Sequence, residues 1–324
     1  MTTPDSDFVF NIVWTGSDFP FLRHLVASQL RHSGARFRFV ANGCPPDQVR
    51  LMREFAASAD RRVTEVFVSS TTMERHGVAL DAVLAARHDG EFFCFVDPDI
   101  LAERPYLPEF AEALDGGCAG VTSGKAVWTD DVAVPPGHPG VPGECFYSED
   151  GYLFGSPHFA MYRREPLRET IARWGAGFAS AGGDLSPDAL DALAAAGHRY
   201  WIYDTGKIVN ILLQEDGHRL CHLEHPALMH IGGMSHYLSH VLSPPESPAT
   251  PSAVGGATDL GLPWPPARLE VAHHAADVLR ALSHDEPPPA LPSGIDADLA
   301  VRLERVRAAI CGLFAADGSR PSSA

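Results

Sequence analysis

The chain has 324 residues, 45% of them hydrophobic, and its 41 acidic residues outnumber 25 basic ones to give a formal charge of −16. That charge argues against nucleic acid or an anionic membrane as a partner, because an acidic protein repels phosphate at long range. The sequence shows no signal peptide and no apolar run near the ~20 residues that cross a bilayer. Its six cysteines are scattered without a CxxC pair, which is typical of reduced thiols. We therefore expect a cytoplasmic protein without a transmembrane segment.

Short apolar strands alternate with helices through the first hundred residues. The run FVFNIVW at 8–14 is apolar and short, as in a buried parallel strand. Further strands are predicted at 37–40, 63–68 and 91–96, with helices at 19–32, 45–59 and 77–87 between them. This alternation indicates a doubly wound α/β domain with a parallel sheet, in which ligands bind outside the carboxyl ends of the strands.

The remainder of the chain has a looser pattern. Strands are predicted at 118–123, 158–162, 219–224 and 227–230, helices at 105–114, 166–174, 187–196 and 205–214, and a long loop at 129–151. We divide the chain into a main domain at 1–242, a Pro/Gly-rich linker or lid at 243–266, C-terminal helices at 267–316 and a disordered tail at 317–324. An apolar stripe from Leu299 to Leu313 predicts packing of the last helix on the main domain or on a second subunit, so a homodimer through these helices is one expectation.

Two acids stand directly after the most apolar strand of the sequence. Asp97 and Asp99 follow the run EFFCFV, so both lie at the ligand-facing edge of the predicted sheet. Neighbouring carboxylates repel each other unless a cation relieves the repulsion. Oxygen ligands of this kind suit Mg²⁺ or Mn²⁺ bridging to a diphosphate. A surface Asp-Pro-Asp turn is the alternative, but the position at a strand end favours a metal site.

The order of these segments resembles that of GT-A fold glycosyltransferases, in particular the family 2-like group. The resemblance spans about 8–235, and its most specific part is SSTTMERHGVALDAVLAA leading into the strand that ends at the two acids. It implies a Rossmann-like, mixed and mostly parallel sheet flanked by helices, with a C-terminal helical extension. It also implies Mn²⁺ or Mg²⁺, a nucleoside-diphosphate-sugar donor, and an acceptor that is a small-molecule natural product, a glycan or a peptide.

The same resemblance gives roles to individual residues. Asp99 would ligate the metal, and Asp97 would contact the metal or the ribose. The donor's base and phosphates would be contacted by Thr15, Asn42, Arg75, His76 and Asp81. Family members often carry Asp where Asn42 stands and Asn where Asp81 stands, so these two positions depart from the family pattern.

A late histidine extends the predicted metal site. In the segment LMHIGGMS at 228–235, the resemblance implies that His230 is a third metal ligand and that Gly233 and Ser235 close over the diphosphate. Neutral imidazole is an acceptable ligand for Mn²⁺, and glycines let backbone N–H groups approach phosphate. The alternative is a core histidine beside a glycine turn. A zinc site that combines His230 with Cys221, His222 and His225 fits no closed structural spacing.

The catalytic base has two candidates, Asp184 and Asp188. The segment AGGDLSPDALDALAAAGHRY resembles the place where family 2-like enzymes carry the carboxylate that accepts the proton of the acceptor. Helix capping is the alternative, since Ser186 suits an N-cap and Asp188 suits a first helical turn. If neither is a base, a retaining reaction stays open. Ser156, His158, Tyr162 and Arg163 belong to a stretch that resembles the strand lining the sugar and acceptor side.

Two other functions stay open at this point. A sugar-phosphate nucleotidyltransferase also uses an α/β sheet with acidic metal ligands, but such enzymes usually have a Gly-rich basic loop after the first strand, which WTGSDFPFLRH lacks. A non-catalytic protein that binds nucleotide sugars is the second alternative. Loss of donor hydrolysis or transfer in an Asp99→Ala variant that still folds would separate an enzyme from a binding protein.

Overall fold

Strands and helices alternate along the chain much as the apolar runs predict. The computed structural model describes residues 3–58, 62–128, 152–155, 158–180, 184–195, 205–238 and 266–316. The strands in these residues are β1 (Val9–Thr15), β2 (Arg36–Asn42), β3 (Val63–Ser70), β4 (Phe92–Val96), β5 (Ile100–Ala102), β6 (Gly120–Ser123), β7 (Phe159–Arg163), β8 (Leu220–His222) and β9 (Leu228–His230). The α-helices are α1 (Phe19–Arg31), α2 (Pro46–Ser58), α3 (His76–Ala86), α4 (Leu107–Asp115), α5 (Arg164–Trp174), α6 (Pro187–Ala195), α7 (Lys207–Glu215), α8 (Met234–His236), α9 (Pro266–Ser283) and α10 (Ala297–Ala316).

Seven strands form one mixed sheet in the order β3-β2-β1-β4-β7-β6-β8. Neighbouring strands are parallel except at β7, which runs antiparallel to both β4 and β6. The expected α/β class, with a mixed and mostly parallel sheet and helices at the C-terminal end, is confirmed. Because β7 alone is reversed, its first residue lies at the edge where the other strands end.

The alternation of side chains along β4 shows how the sheet is covered on both faces. Phe92, Cys94 and Val96 pack into one apolar cluster, together with residues of α1 and α4. Phe93 and Phe95 pack into a second cluster on the opposite face, with residues of α3 and α7. A strand that is buried on both faces reads as a continuous apolar run in the sequence, as in a parallel sheet covered by helices.

The strands β5 and β9 form a separate antiparallel pair that the sequence only partly predicts. Ile100 pairs with His230 and Ala102 pairs with Leu228. A strand at 227–230 is expected from the sequence, but β5 is three residues long, too short for its alternation to stand out. This pair sets the end of β9 beside the acids that follow β4.

The apolar stripe of α10 is buried within this chain. Leu303, Val306, Ile310 and Leu313 join the same cluster as α1 and α9, and Arg302 donates a hydrogen bond to the carbonyl oxygen of Val127 at 3.2 Å. The stripe that suggests a homodimer is thus used for packing on the main domain. This is the first of the two outcomes that the sequence leaves open.

Two cysteines depart from the expectation of reduced thiols. Cys118 and Cys221 form a disulfide, with Cα atoms 6.3 Å apart and a separation of 103 residues in sequence. The parallel pairing of β6 with β8 brings these distant positions together, and a CxxC search cannot detect such a pair. Disulfides are rare among the reduced thiols that the scattered cysteines predict, so the prediction fails for these two cysteines.

Some expectations fall on residues outside the described ranges. The loop at 129–151, Ser156, the tail at 317–324 and all but the last residue of the segment at 243–266 belong to this group. Among the described helices, none combines the length and the apolar character needed to cross a membrane.

Candidate metal and donor site

The site begins at the turn that follows β4. The backbone N–H of Asp97 donates to the carbonyl oxygen of His158 at 2.7 Å, and the N–H of Ile100 donates back to the carbonyl oxygen of Asp97 at 3.3 Å. This tight turn leaves Asp97 partly exposed, whereas Asp99 is buried. The two acids therefore face different surroundings although only one residue separates them.

His230 reaches Asp99 through the pairing of β5 with β9. Its Nε2 atom lies 3.3 Å from Oδ1 of Asp99, and its Nδ1 atom lies 2.6 Å from the carbonyl oxygen of Gly124. A carbonyl oxygen can only accept, so Nδ1 carries the hydrogen. Nε2 then faces the carboxylate of Asp99, an arrangement that needs a cation, either a proton or a metal ion, between the two groups.

Asp99 and His230 each shift the pKa of the other in the direction that favours the charged form. Burial alone would raise the pKa of Asp99, but the neighbouring His230 outweighs it and lowers that pKa. Burial alone would lower the pKa of His230, but Asp99 and then Asp97 raise it. Both shifts favour the charged form of each group, and a divalent cation would compete with a proton for Nε2 of His230.

His158 is a further member of the site whose role sequence reasoning misses. Its Nδ1 atom lies 2.9 Å from Oδ2 of Asp97, and the centre of its ring lies 4.1 Å from that of His230. The register of β4 with β7 pairs Val96 with Phe159, which sets His158 beside Asp97. The sequence places His158 on the sugar side, since only the reversed direction of β7 shows that it meets the acids.

One ligand atom each from Asp97, His158 and His230 can hold a metal ion, because these atoms lie within 4.8 Å of one another. The ligands predicted from the sequence are Asp97, Asp99 and His230. The group in the structure contains Asp97 and His230 from this set, with His158 as the third member. Asp99 lies behind His230, with its other oxygen accepting a hydrogen bond from the N–H of Met234 at 3.2 Å. Carboxylate and imidazole donors around one small volume fit a divalent cation.

The zinc arrangement considered from the sequence does not form. Cys221 is in the disulfide, His222 lies 2.7 Å from Glu224, and His225 lies 3.3 Å from Glu109. Each of these side chains thus has a partner other than His230.

The loop after β9 is built on two glycines. Gly232 and Gly233 have φ angles of +76° and +83°, a region that L residues with side chains rarely adopt. A Cβ atom on Gly232 would lie 2.5 Å from Nε1 of Trp128. The backbone therefore passes close to Trp128 before Met234 reaches Asp99, and only glycine permits this path.

A second buried acid, Asp18, links Thr15 to this loop. The N–H and the hydroxyl of Thr15 each lie 3.4 Å from Oδ2 of Asp18. Burial raises the pKa of Asp18 to about 7, although the hydroxyl of Ser235 and the groups of Thr15 hold it down. Thr15 and Ser235, both expected beside the donor, thus meet at one fully buried carboxyl group.

Asn42, which the sequence places beside the donor's base, hydrogen-bonds to the segment that precedes α3. Its side-chain N–H donates to the carbonyl oxygen of Glu74 at 2.8 Å, and its oxygen accepts from the N–H of Glu74 at 3.0 Å. Asn42 is fully buried. Both polar groups of its amide therefore hold the segment that precedes α3, and the expected contact of Asn42 with a base stays a prediction.

That segment carries Arg75 and His76 toward the acids. Nε2 of His76 lies 3.7 Å from Oδ1 of Asp97, and the guanidinium of Arg75 lies 3.3 Å from Oδ2 of Asp184. The expected neighbours Arg75, His76 and Asp97 are therefore close together, and Asp184 joins them.

Asp81, which the sequence places near the donor's phosphates, hydrogen-bonds to a loop much later in the chain. Its two carboxylate oxygens accept hydrogen bonds from the N–H groups of Phe178 and Ala179, at 2.8 and 3.0 Å. It is half-buried, and burial raises its pKa despite these bonds. Asp81 thus anchors the loop that precedes Asp184.

Asp188 lies in the first turn of α6. The hydroxyl of Ser186 accepts a hydrogen bond from the N–H of Ala189 at 3.2 Å, which is the capping arrangement that the sequence offers as an alternative. Asp188 is exposed, and an acid in this turn favourably meets the positive end of the helix. The capping interpretation explains its position.

Comparisons with known proteins give similarities of fold only. No protein-family model matches the chain, and no curated protein sequence matches it. Similar solved structures include residues 1–349 of TarS from S. aureus, with 14% identity, a TM-score of 0.44 and coverage of 71% of this chain and 62% of that chain. Another is the mannosyltransferase PcManGT from Pyrobaculum calidifontis in complex with GDP-Man and Mn²⁺, with 15% identity, a TM-score of 0.41 and coverage of 99% and 79%.

A third similar structure is the nucleoside-diphosphate-sugar pyrophosphorylase from Vibrio cholerae RC9, with 12% identity, a TM-score of 0.42 and coverage of 69% of this chain and 96% of that chain. The match to the TarS fragment spans less than two thirds of that fragment. At these values the similarities give no correspondence between individual residues.

Proposed function

We propose that this chain is a metal-dependent glycosyltransferase that moves a sugar from a nucleoside-diphosphate donor to an acceptor such as a natural product, a glycan or a peptide. The observation that carries the proposal is the meeting of Asp97, Asp99, His158 and His230. They lie where the parallel strands end, which is the edge at which open α/β sheets bind their ligands.

The residues of the cluster suit a cation that faces a diphosphate. Asp97 and Asp99 supply two negative charges, and His158 and His230 can add ligand atoms without adding charge. A bound Mn²⁺ or Mg²⁺ would offset the negative charge that grows on the departing diphosphate. The negative net charge of the protein repels phosphate, so a bound cation would be needed to attract the diphosphate to this site.

Backbone and side-chain groups around the cluster would hold the rest of the donor. Gly233 is partly exposed three residues after His230, which pairs with Asp99, so an N–H group of this glycine loop could approach a phosphate oxygen without a Cβ clash. Arg75 and His76 supply donors from the other side of Asp97. Thr15 and Ser235, joined through Asp18, would contact the nucleotide.

We assign the proton transfer to Asp184. Its carboxylate would take the proton of the acceptor hydroxyl while the acceptor oxygen bonds to the anomeric carbon and the bond to the diphosphate breaks. The assignment is supported by the distance of 3.3 Å between Arg75 and this carboxylate, because His76, the residue after Arg75, lies 3.7 Å from Asp97. This arrangement would invert the anomeric centre.

Thermal-shift measurements with a panel of nucleotide sugars, with and without Mn²⁺, test donor binding. Release of nucleoside diphosphate, with or without an added acceptor, then tests turnover. We expect Asp99→Ala to fold and to lose release, and Glu112→Gln, an exposed acid on α4, to behave as wild type. If no nucleotide stabilises the protein with any metal, the proposal is wrong.

The same assays separate the other two functions. A nucleotidyltransferase would form pyrophosphate from a nucleoside triphosphate and a sugar phosphate. A binding protein would be stabilised by a nucleotide sugar without releasing nucleoside diphosphate in the presence of any acceptor. Either result would replace the proposed transferase activity.

A further inference from the structure

The two imidazoles of the site have a consequence for the choice of metal. We infer that His158 is a metal ligand and that, together with His230, it makes the site bind Mn²⁺ and later first-row metals in preference to Mg²⁺. The inference rests on the proposed metal-dependent function, since it concerns the same cluster. It is a statement about metal binding, however, and metal binding can be measured without any donor sugar.

The distances around Asp97 match a shared coordination shell. Nδ1 of His158 lies 2.9 Å from Oδ2 of Asp97, and adjacent ligands in an octahedral shell with bonds of ~2.1 Å are about 3.0 Å apart. Nε2 of His230 and Oδ1 of Asp99 are separated by a similar 3.3 Å. The ligand atoms of Asp97, His158 and His230 lie within 4.8 Å of one another, so one ion could meet all three through small movements of the side chains, while Asp99 stays beside His230.

The backbone fixes both histidines in place. His158 directly precedes β7, and its carbonyl oxygen accepts the N–H of Asp97 at 2.7 Å. The ring of His230 is held by the carbonyl oxygen of Gly124 at 2.6 Å, which is the kind of outer contact that orients a metal-binding histidine. Ligands on strand ends are held more firmly than ligands on long loops.

Imidazole nitrogen changes the order of metal affinities. Mg²⁺ binds mainly carboxylate oxygen, carbonyl oxygen and water, and it gives up its water reluctantly. Affinity for nitrogen donors rises from Mn²⁺ through Fe²⁺ and Co²⁺ to Ni²⁺. A site with two imidazoles should follow this series, whereas a site made of carboxylates alone discriminates much less.

The test is titration of the wild type and of His158→Asn with Mg²⁺, Mn²⁺ and Co²⁺ by calorimetry, with electron paramagnetic resonance to count bound Mn²⁺. We expect His158→Asn to weaken Mn²⁺ binding by at least about tenfold, to weaken Co²⁺ binding more, and to affect Mg²⁺ least. The d–d absorption of bound Co²⁺ should also change, because it reports loss of a nitrogen donor. His88→Asn changes an exposed histidine two residues after the end of α3 and is the matched control.

A second variant guards against a simple loss of folding. His158→Asp restores a ligand atom but with oxygen, so it should recover Mg²⁺ and Mn²⁺ binding while the preference for Co²⁺ stays reduced. An equal loss for all three metals in His158→Asn would mean that the residue only positions Asp97, and affinities within twofold of wild type would mean that it is no ligand. Either result overturns the inference. Normal metal binding without turnover of any donor would instead overturn the proposed transferase and leave this inference standing.

Discussion

Arg75 and Asp184 form an ion pair in which a guanidinium nitrogen lies 3.3 Å from Oδ2 of the carboxylate. The next residue after Arg75, His76, has its Nε2 atom 3.7 Å from Oδ1 of Asp97. Two consecutive residues at the start of α3 therefore connect the candidate base to the candidate metal site. The carboxylate of Asp184 is thus linked to Asp97 through these two residues, and it is not among the candidate metal ligands.

From this connection we predict that replacing Asp184 lowers the rate of sugar transfer but leaves the affinity for the donor nearly unchanged. Asp184→Asn should lower the rate of transfer by at least about 100-fold, because general bases contribute 10²–10⁴-fold. The Kd for the donor should change little, since the amide keeps the shape of the side chain. Single-turnover rates and calorimetric donor titration measure the two quantities.

The other sequence candidate provides the comparison. If Asp188→Asn abolishes transfer while Asp184→Asn does not, the base is on α6 and Asp184 only pairs with Arg75. If both variants keep wild-type rates, neither acid is the base and a retaining mechanism becomes the next hypothesis.

Asp18 predicts a particular pH dependence of stability. In the unfolded chain its carboxyl group loses its proton near pH 4, whereas burial raises the folded pKa to about 7. Between these values the folded state binds more protons, so this group makes the protein less stable as pH rises. Cys44 lies nearby, but burial raises the pKa of its thiol, which therefore stays neutral over this range.

Asp18→Asn removes this titration. Relative to wild type, the free energy of unfolding of the variant should rise by roughly 2–3 kcal/mol between pH 5 and pH 8. Denaturant unfolding at several pH values gives the difference, with Glu112→Gln as a control that should run parallel to wild type. Parallel curves for Asp18→Asn would contradict the prediction.

The loop after β9 predicts a contrast between two glycines. Gly232 and Gly294 have similar φ angles of +76° and +80°, but a Cβ atom on Gly294 would meet nothing within 4 Å. An alanine at either position costs about 1–2 kcal/mol for the left-handed backbone. Only Gly232→Ala must also displace the loop, because its Cβ atom would lie 2.5 Å from Trp128 Nε1.

We therefore expect donor affinity to separate the two variants. Gly232→Ala should weaken nucleotide-sugar binding by about tenfold or more, a loss of ~1.4 kcal/mol, while Gly294→Ala keeps the wild-type Kd. Equal donor affinities in the two variants would show that the path of this loop does not shape the donor site.

A buried arginine predicts a stability effect that is separate from the site. Arg38 in β2 is 3% exposed and makes two hydrogen bonds of 2.7 Å to Asp89 and one of 3.0 Å to Asn11. Arg38→Ala leaves the oxygen of the buried Asn11 and the partly buried Asp89 without this donor and should lower the free energy of unfolding by about 3 kcal/mol. Arg50→Ala, in an exposed pair with Glu54, should cost less than about 1 kcal/mol.

Metal affinity provides the second readout for this pair of variants. If Arg38→Ala still folds in stabilising buffer, its Kd for Mn²⁺ should equal that of wild type. A shifted Kd would show that this network also supports the acids after β4.

The sequence predicts those parts of the site that depend on local pattern. Asp97 and Asp99 follow a continuous apolar strand, and His230 precedes a glycine pair, so the neighbouring residues alone indicate where these side chains lie. His158 gives no such local signal, because its place depends on the reversed direction of β7 and on its register with β4. The sequence also gives no sign that the side chain of Asn42 hydrogen-bonds to the backbone of Glu74, because this partner lies 32 residues further along the chain.

Disulfide partners and contacts between distant residues cannot be predicted from local sequence patterns for the same reason. Asp81 lies at a helix position typical of a ligand contact, yet the loop it anchors begins almost a hundred residues later. Cys118 and Cys221 look unrelated until β6 and β8 pair. In each case the partner depends on how distant strands and loops pack together, and local sequence patterns do not show this.

The pairing of β5 with β9 has a consequence for the order in which the protein acquires its site. Met234, which donates to Asp99, is 135 residues further along the chain. A nascent chain that has folded only its first strands would carry the acids without the histidine that faces them. Tight metal binding would therefore begin only when β9, the last strand, has folded. Because a ligand that binds only the native state stabilises it by mass action, the metal would increase the free energy of unfolding of the complete fold alone.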